Sequence, residues 1–513
     1  MRKKIKEIEK DYKFITKIIN SADSPLIKKL ILDNIIILTT RHDFLPSNLF
    51  YNYLKRGVID YKDKNVIKYE QNQSSLNKKS AKIIRLFQFG IELILESLKP
   101  KKIWNMANTI KKNIILIYVP FYPRYLDLAL PIYEKIKNSS DFTPILLNCE
   151  LKEHFYKNNF TQIKMRDYSV GLNQLCKILK EIIMTKKAID KEKKYKDFYK
   201  ALFKINRRTQ LINLINENIF RNLIKNTKKI KAIFFSPPNS LARTASEIAK
   251  ESNIPTFGIF RGLIDYDLES KFINTKYILA KGEREKEMYI KLGYEEKKIE
   301  VVGAPYLKEK ILNRYTVDGQ IKIFYVDQPC TQNCDIQCKR KIIRLIGNKL
   351  RCLNNIKLLI KLHPVSTDHE KIYEEEFYTI GFSNYQIYKS KYDLSKVLDI
   401  SDYVIMHHST VGLNVLFRNK PLIVLSSSFF GIDINIDGEN LFFNEKSAFI
   451  IKDEQDLQDI FTCISEGKLK RKKYKDVKTF LKYHIKYTGE TSAEHIVKFI
   501  ENKIEESELG GKK

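Results

Sequence analysis

Short unbroken apolar runs alternate along this chain with stretches in which apolar residues recur every three or four positions. The runs fall at 113–120, 143–148, 229–235, 257–260, 277–280, 300–305, 321–326, 356–362, 400–406 and 422–425. Each is bounded by Gly, Pro or a polar cluster, the pattern of strands buried on both faces of a parallel sheet. Between them, 126–136, 241–251, 282–292, 341–353 and 413–418 carry helical spacing. Strand–helix alternation with short polar loops predicts an α/β fold of doubly wound domains. Asp167 to Phe220 reads as long, basic and helical, and Lys468 to Ile504 as a helical end, strongly basic as far as Lys486. Leu441-Phe442-Phe443 and a helix from Asp453 to Ile464 are expected to finish the last sheet.

The first hundred residues have a different texture. Ile5, Ile8, Tyr12, Ile15 and Ile19 recur at helical spacing, as do Ile83, Phe87, Ile91, Ile94 and Leu98, with polar residues 61–79 between them. A chain of 513 residues exceeds one ordinary core. The expected division is a helical N-terminal extension (1–108), two Rossmann-like domains (109–312 and 313–490) and a C-terminal helix and tail (491–513).

Composition narrows the classes. The net charge is +31, from 92 basic and 61 acidic residues. Such a balance favours an anionic partner, but the lysines are spread along the chain and Lys, Ile, Asn, Tyr and Phe are all abundant, as in a general compositional bias. No recognised nucleic-acid motif accompanies the charge, so no nucleic-acid partner is expected. The basic, aromatic run from Lys468 to Tyr487 is a candidate for peripheral contact with an anionic membrane. No run is long and apolar enough for a membrane-spanning helix, and the charged N-terminus lacks the apolar core of a secretory signal. Seven cysteines, an odd number, fit a reducing, cytoplasmic setting. Cys330, Cys334 and Cys338 recur every four residues without a second pair to complete a structural metal site, so no metal is assigned.

The most informative stretch runs from Ile356 to Leu425. One predicted strand ends in His363-Pro364. The next ends in His407-His408-Ser409-Thr410-Val411-Gly412, which opens a helix. Open α/β sheets bind ligands at the carboxyl ends of their strands, and helix N-termini favour phosphate. His363, His408, Ser409 and Thr410 are therefore candidate phosphate contacts. Neighbouring residues at a strand end point to opposite sides, so only one of His407 and His408 is expected to face the site, and His408 is the one chosen. Gln328, after the strand 321–326, lies at another such strand end. Arg124, Ser236, Asn239 and Arg261 lie at or near predicted strand ends in the first domain, and Asp127, Asp265 and Glu283 are carboxylates close to those ends.

Residues 230–305 resemble a stretch shared by GT-B glycosyltransferases and sugar-nucleotide 2-epimerases. The matching pieces are Ala249 to Thr256, Arg261-Gly262, Ala280 to Gly293, and Val302-Gly303-Ala304-Pro305, with Arg261 standing where the family usually has His. Residues 321–425 resemble the donor half of capsule-polysaccharide glycosyltransferases of the polysialyltransferase-like, Kdo-transferase-like and teichoic-acid glycerophosphotransferase-like kind. The pieces there are Gln328-Pro329, Lys361-Leu362-His363-Pro364, Ser401-Asp402, His408-Ser409-Thr410 and Lys420-Pro421.

The resemblance implies a GT-B-type fold whose two domains face a cleft. It implies metal-independent transfer of a sugar, with no cofactor, from a nucleotide-sugar donor, CMP-linked donors fitting best. The acceptor would be a surface polysaccharide or lipid-linked saccharide. His363 would meet the leaving phosphate, with Pro364 fixing its turn, Gln328 and Gly303 on the donor side, Arg124, Ser236, Asn239, Arg261 and Gly262 on the acceptor side, and Asp127, Asp265 and Glu283 as candidate bases. The alternatives are a UDP-sugar 2-epimerase-like isomerase, a basic nucleic-acid-binding protein and a catalytically inactive partner of another transferase. Val411-Gly412-Leu413-Asn414 lacks the acidic residues typical of the epimerases at that turn.

Overall fold

A computed structural model of the protein describes residues 13, 16–33, 110–119, 125–148, 161–164, 172–192, 196–236, 240–260, 273–307, 319–328, 336–363, 369–407, 409–426 and 443–510. They form two compact units. The N-terminal unit comprises Ile5–Lys281, Glu285–Tyr306 and Gly489–Lys513; the C-terminal unit is principally Leu307–Thr488, with Gly282–Arg284.

The N-terminal unit is built on seven parallel strands: β1 (Ile114–Val119), β2 (Thr143–Asn148), β3 (Gln162–Lys164), β4 (Ile230–Phe235), β5 (Thr256–Gly258), β6 (Tyr277–Ala280) and β7 (Ile299–Val301). Their order is β3-β2-β1-β4-β5-β6-β7. Strand β1 shows why the sheet is buried on both sides. Ile114, Leu116 and Tyr118 face one apolar cluster, while Ile115, Ile117 and Val119 face another. Helices α1 (Pro25–Asp33), α2 (Leu126–Ser139), α3 (Leu172–Lys191), α4 (Lys196–Asn226), α5 (Ser240–Glu251) and α6 (Glu283–Lys291) accompany the strands; α6 begins in the short piece Gly282–Arg284 and continues in this unit. Ile178, Leu214, Phe220 and Ala245, from α3, α4 and α5, pack on the first face, and Leu128, Ile132 and Ile136 of α2 on the second. Helix α1 belongs to the expected N-terminal extension. Its Ile27, Leu30 and Ile31 pack with Tyr199 and Tyr289, and Lys29 pairs with Glu181 (2.8 Å) and Glu217 (2.7 Å).

The C-terminal unit holds six parallel strands: β8 (Ile321–Val326), β9 (Ile356–Lys361), β10 (Tyr385–Tyr388), β11 (Tyr403–Met406), β12 (Leu422–Leu425) and β13 (Phe449–Ile451). Their order is β10-β9-β8-β11-β12-β13. Helices α7 (Ile336–Leu350), α8 (Glu370–Ile380), α9 (Leu394–Ile400), α10 (Val411–Phe417), α11 (Glu454–Ser465) and α12 (Tyr474–His484) complete it. The chain then returns as α13 (Gly489–Gly510) to the N-terminal unit. There Ile496, Val497, Ile500 and Ile504 join the second apolar cluster, and the Ser492 hydroxyl donates to the Val302 carbonyl at 2.8 Å.

Both sheets are doubly wound, as expected. Three details differ from the sequence reading. Phe443 lies outside any strand, and the sheet ends instead on Phe449–Ile451. The basic C-terminal stretch is two helices, α12 and α13, rather than one. Strands β3 and β10, of three and four residues, carried too few apolar positions to stand out.

Candidate functional site

In a doubly wound sheet the ligand crevice opens where the strand order reverses, outside the carboxyl ends of the two central strands. In the C-terminal unit that point lies between β8 and β11, with β9 on the other side of β8. The three segments leaving these neighbours are Asp327-Gln328, Leu362-His363 and His407 to Thr410. Parallel topology therefore gathers Gln328, His363 and Ser409, far apart in sequence, at one edge of one sheet.

Asp327 connects two of these strand ends. Its carboxylate is fully buried and accepts three hydrogen bonds: from the His363 backbone N–H at 2.8 Å, from the Tyr373 hydroxyl at 2.7 Å and from the Lys339 ammonium. Lys339 is itself buried on α7. It also donates to the Gln328 carbonyl at 2.9 Å and to Nδ1 of His369, which places the His369 proton on Nε2. The Tyr373 ring lies 5.4 Å from the Lys339 ammonium, within cation–π range. A buried carboxylate is tolerated only when paired and hydrogen-bonded. Here the pairing fixes the backbone at His363 and the carbonyl of Gln328 together.

Lys361, the last residue of β9, supports the same turn. Its ammonium donates to the Leu362 and Ser390 carbonyls, both at 3.1 Å, and so ties the end of β9 to the segment after β10. Burial draws its pKa down, against the opposing influence of Asp327 and Asp393. After β11, His407 is buried, with Nε2 3.4 Å from the Tyr325 hydroxyl and its ring stacked on the Tyr325 ring. The Ser409 hydroxyl accepts from the Val411 N–H at 3.2 Å, whereas Thr410, at the helix cap, is exposed and makes no side-chain cap bond. Gly412 lets α10 pack closely. A Cβ there would lie 2.4 Å from the Phe443 ring and 2.7 Å from the Met406 methyl.

Other pieces of the recognised pattern lie at the opposite edge. Asp402 precedes β11 and accepts from the Lys322 N–H at 2.8 Å; burial raises its pKa. Lys420 precedes β12 and donates to the carbonyls of Asp399 (3.1 Å) and Ser401. Burial pulls its pKa down to about 8 despite the nearby aspartates. Both residues are placed to hold the amino-terminal edge of the sheet.

Further candidates separate from this group. Gly303 belongs to the N-terminal unit, where it follows β7 with φ +84°, a conformation that suits glycine alone. Ser236 follows β4, the central strand of the N-terminal sheet, and is fully buried; among the described residues its hydroxyl has no partner. Asp127 is exposed in the first turn of α2. Glu283 begins α6 and pairs with Lys486 at 3.0 Å on the surface. Asp265, Pro364, His408, Arg124, Asn239, Arg261 and Gly262 lie outside the described residues. Among the described residues no group of three or more His, Cys, Asp or Glu side chains could hold a metal ion, and no helix is long and apolar enough to cross a membrane.

Sequence reasoning missed Asp327, Lys339, Tyr373 and His369. One signal was present. Lys339 lies one helical turn before Ile342 and Ile343, on the buried face of α7, and a lysine at a core position needs a buried anion. The preference for His408 over His407 also left unmarked a histidine that the structure places against Tyr325.

Residues 273–438 match the model of a family described as capsule polysaccharide biosynthesis protein. A search of curated proteins finds no significant match. Among solved structures, a Rickettsia africae glycosyltransferase aligns with TM-score 0.50 and 13% identity, over 77% of this chain and 99% of its own. A Listeria monocytogenes protein assigned as a UDP-N-acetylglucosamine 2-epimerase aligns with TM-score 0.50 and 11% identity, over 77% of this chain and 97% of its own. At such identities the likeness is one of fold. Over residues 273–438 the chain is thus similar to a capsule polysaccharide biosynthesis family, and its α/β architecture is of the GT-B type.

Proposed function

We propose that this chain, with its capsule-biosynthesis region in a GT-B-type fold, is a glycosyltransferase acting in surface-polysaccharide assembly. Its donor is a nucleotide sugar, CMP-linked by preference, and its acceptor a polysaccharide or lipid-linked saccharide. The observation that carries this reading is the Asp327 hub. It holds the His363 turn and the Gln328 carbonyl at the crevice where the C-terminal sheet reverses order.

Glycosyl transfer needs a contact on the departing phosphate as charge develops there. His363 is suited to this as hydrogen-bond donor or general acid, because imidazole titrates near neutral pH. Ser409 and the backbone around Gln328 supply further donors and acceptors for the nucleotide. The clamp is drawn from imidazole, hydroxyl and backbone groups, so transfer is expected to persist in EDTA. The acceptor base is assigned to a carboxylate among Asp127, Asp265 and Glu283.

The test is product formation from CMP-, UDP- and GDP-sugars, with and without saccharide acceptor, in EDTA. Acceptor-dependent release of the nucleotide supports transfer. Isomerisation of a UDP-sugar without acceptor would identify an epimerase instead. Asp127→Asn, Asp265→Asn and Glu283→Gln then compare the candidate bases. The base variant should lose at least about a hundredfold in kcat, the scale of general-base catalysis, with little change in donor binding.

A further inference from the structure

The C-terminal unit carries a concentrated cationic face that the proposed chemistry does not use. The stretch from Lys468 to Lys486, both included, holds eight lysines, one arginine and one acid, Asp476. Helix α12 sorts them. Val477, Phe480, Leu481 and His484 turn inward and are buried. Lys473, Lys475, Lys478 and Lys482 are exposed, together with Lys470 and Arg471 just before the helix. Among the described residues, no ion pair engages Lys470, Lys473, Lys475, Lys478 or Lys482. Two lysines close by in sequence are paired, Lys468 with Glu466 at 2.8 Å and Lys452 with Glu445 at 3.0 Å.

Two exposed tyrosines stand at either end of the same face, Tyr474 (52% exposed) and Tyr483 (41%). Unpaired lysines on one side of a helix, flanked by amphipathic rings, fit the headgroup region of an anionic bilayer. Lysine stems lie along apolar surface while their ammonium groups reach lipid phosphates. A single-stranded nucleic acid would instead need free ring faces for base stacking, and the Tyr474 ring already has the Lys478 ammonium 5.8 Å from its centroid.

We propose that the outer face of α12, with Lys470 and Arg471, docks this protein peripherally on an anionic lipid surface. The helix's apolar face is committed to its own core, so binding is electrostatic and reversible, with Tyr474 and Tyr483 settling at the interface. It would keep the C-terminal unit beside lipid whatever reaction that unit performs, so it stands independently of the transferase reading.

The test is co-sedimentation of the full chain with vesicles of pure phosphatidylcholine and of phosphatidylcholine with 30% phosphatidylglycerol. The unmodified chain is expected to bind the anionic vesicles at least tenfold more tightly, and to lose that advantage as salt is raised. Lys473→Gln/Lys475→Gln/Lys478→Gln/Lys482→Gln should weaken anionic binding at least tenfold. Lys177→Gln/Lys180→Gln/Lys186→Gln/Lys187→Gln on α3, which removes the same charge, should weaken it less than threefold. If the quadruple α12 variant fails to fold, Lys473→Gln/Lys475→Gln and Lys478→Gln/Lys482→Gln are measured separately, each expected to lose about threefold. Equal loss from the α3 set would show that net charge alone matters and would overturn the proposal. So would absence of binding to anionic vesicles, or binding that the α12 variants leave unchanged. A further contrary result would be equally tight, α12-dependent binding of soluble polyuridylate, which would mark a polyanion site.

Discussion

Asp327 and Lys339 are each affordable only because of the other, which makes their pairing the most exacting test at the residue scale. Lys339→Met leaves the Asp327 carboxylate buried beside Tyr373 and the His363 N–H without its cation. Removing one partner of a buried pair costs about 3–5 kcal/mol, and that loss should appear in urea unfolding of the C-terminal unit. Asp327 follows an apolar run in the sequence, but nothing there marks its role. Its partners were not, because Lys339 and Tyr373 reach it only once α7 and α8 have packed. A second residue sets the acid limit. His484 is buried against Phe480, its Nδ1 has no partner among the described residues, and burial lowers its pKa from 6.5 to about 3, with Arg284 nearby adding to the effect. Below pH 6.5 the unfolded chain takes up a proton that the folded chain refuses. The associated stability is therefore full above pH 6.5 and is lost as pH falls toward 3. His484→Phe should flatten unfolding free energy against pH across that window; an unchanged slope would assign the acid sensitivity to other groups.

At the scale of elements, close packing of α10 on the end of β11 determines where Ser409 sits. Gly412 is the contact that permits it, because any Cβ would meet the Phe443 ring and the Met406 methyl. Gly412→Ala should destabilise by about 1–3 kcal/mol, as overpacked sites do, and should also weaken any ligand held by the turn at Ser409, read as a smaller thermal shift. The strands of both sheets were legible because parallel strands buried on both faces read as continuous apolar runs. Strands β3, β10 and β13 were not, since three or four residues with mixed polarity carry no period. The carboxyl-end candidates Gln328, His363 and Ser409 were legible as polar clusters closing apolar runs. The supporting roles of Asp402 and Lys420, at the far edge of the sheet, depend on strand order, which the sequence leaves open.

For the whole molecule, the return of α13 matters most. It lies last in the chain yet packs on the N-terminal sheet through Ile496, Val497, Ile500 and Ile504. Each such side chain contributes about 1.5–3 kcal/mol when buried, so removing residues 489–513 would cost an amount comparable with the stability of a typical domain. The truncated chain should lose the N-terminal unit's cooperative transition in calorimetry, while the transition of the C-terminal unit remains. The proposed nucleotide site lies at the crevice between β8 and β11 and depends on His363. Its most direct measurement is a thermal-shift panel of CMP, CDP, UDP and GDP at fixed ionic strength. A nucleotide at a hundred times its Kd stabilises by about 2.7 kcal/mol, or roughly 5 °C or more for a unit of this size. The unmodified chain is predicted to respond to at least one nucleotide, CMP foremost, and His363→Ala to lose at least half of that shift. No response from the unmodified chain, or an equal response from His363→Ala, would contradict the account.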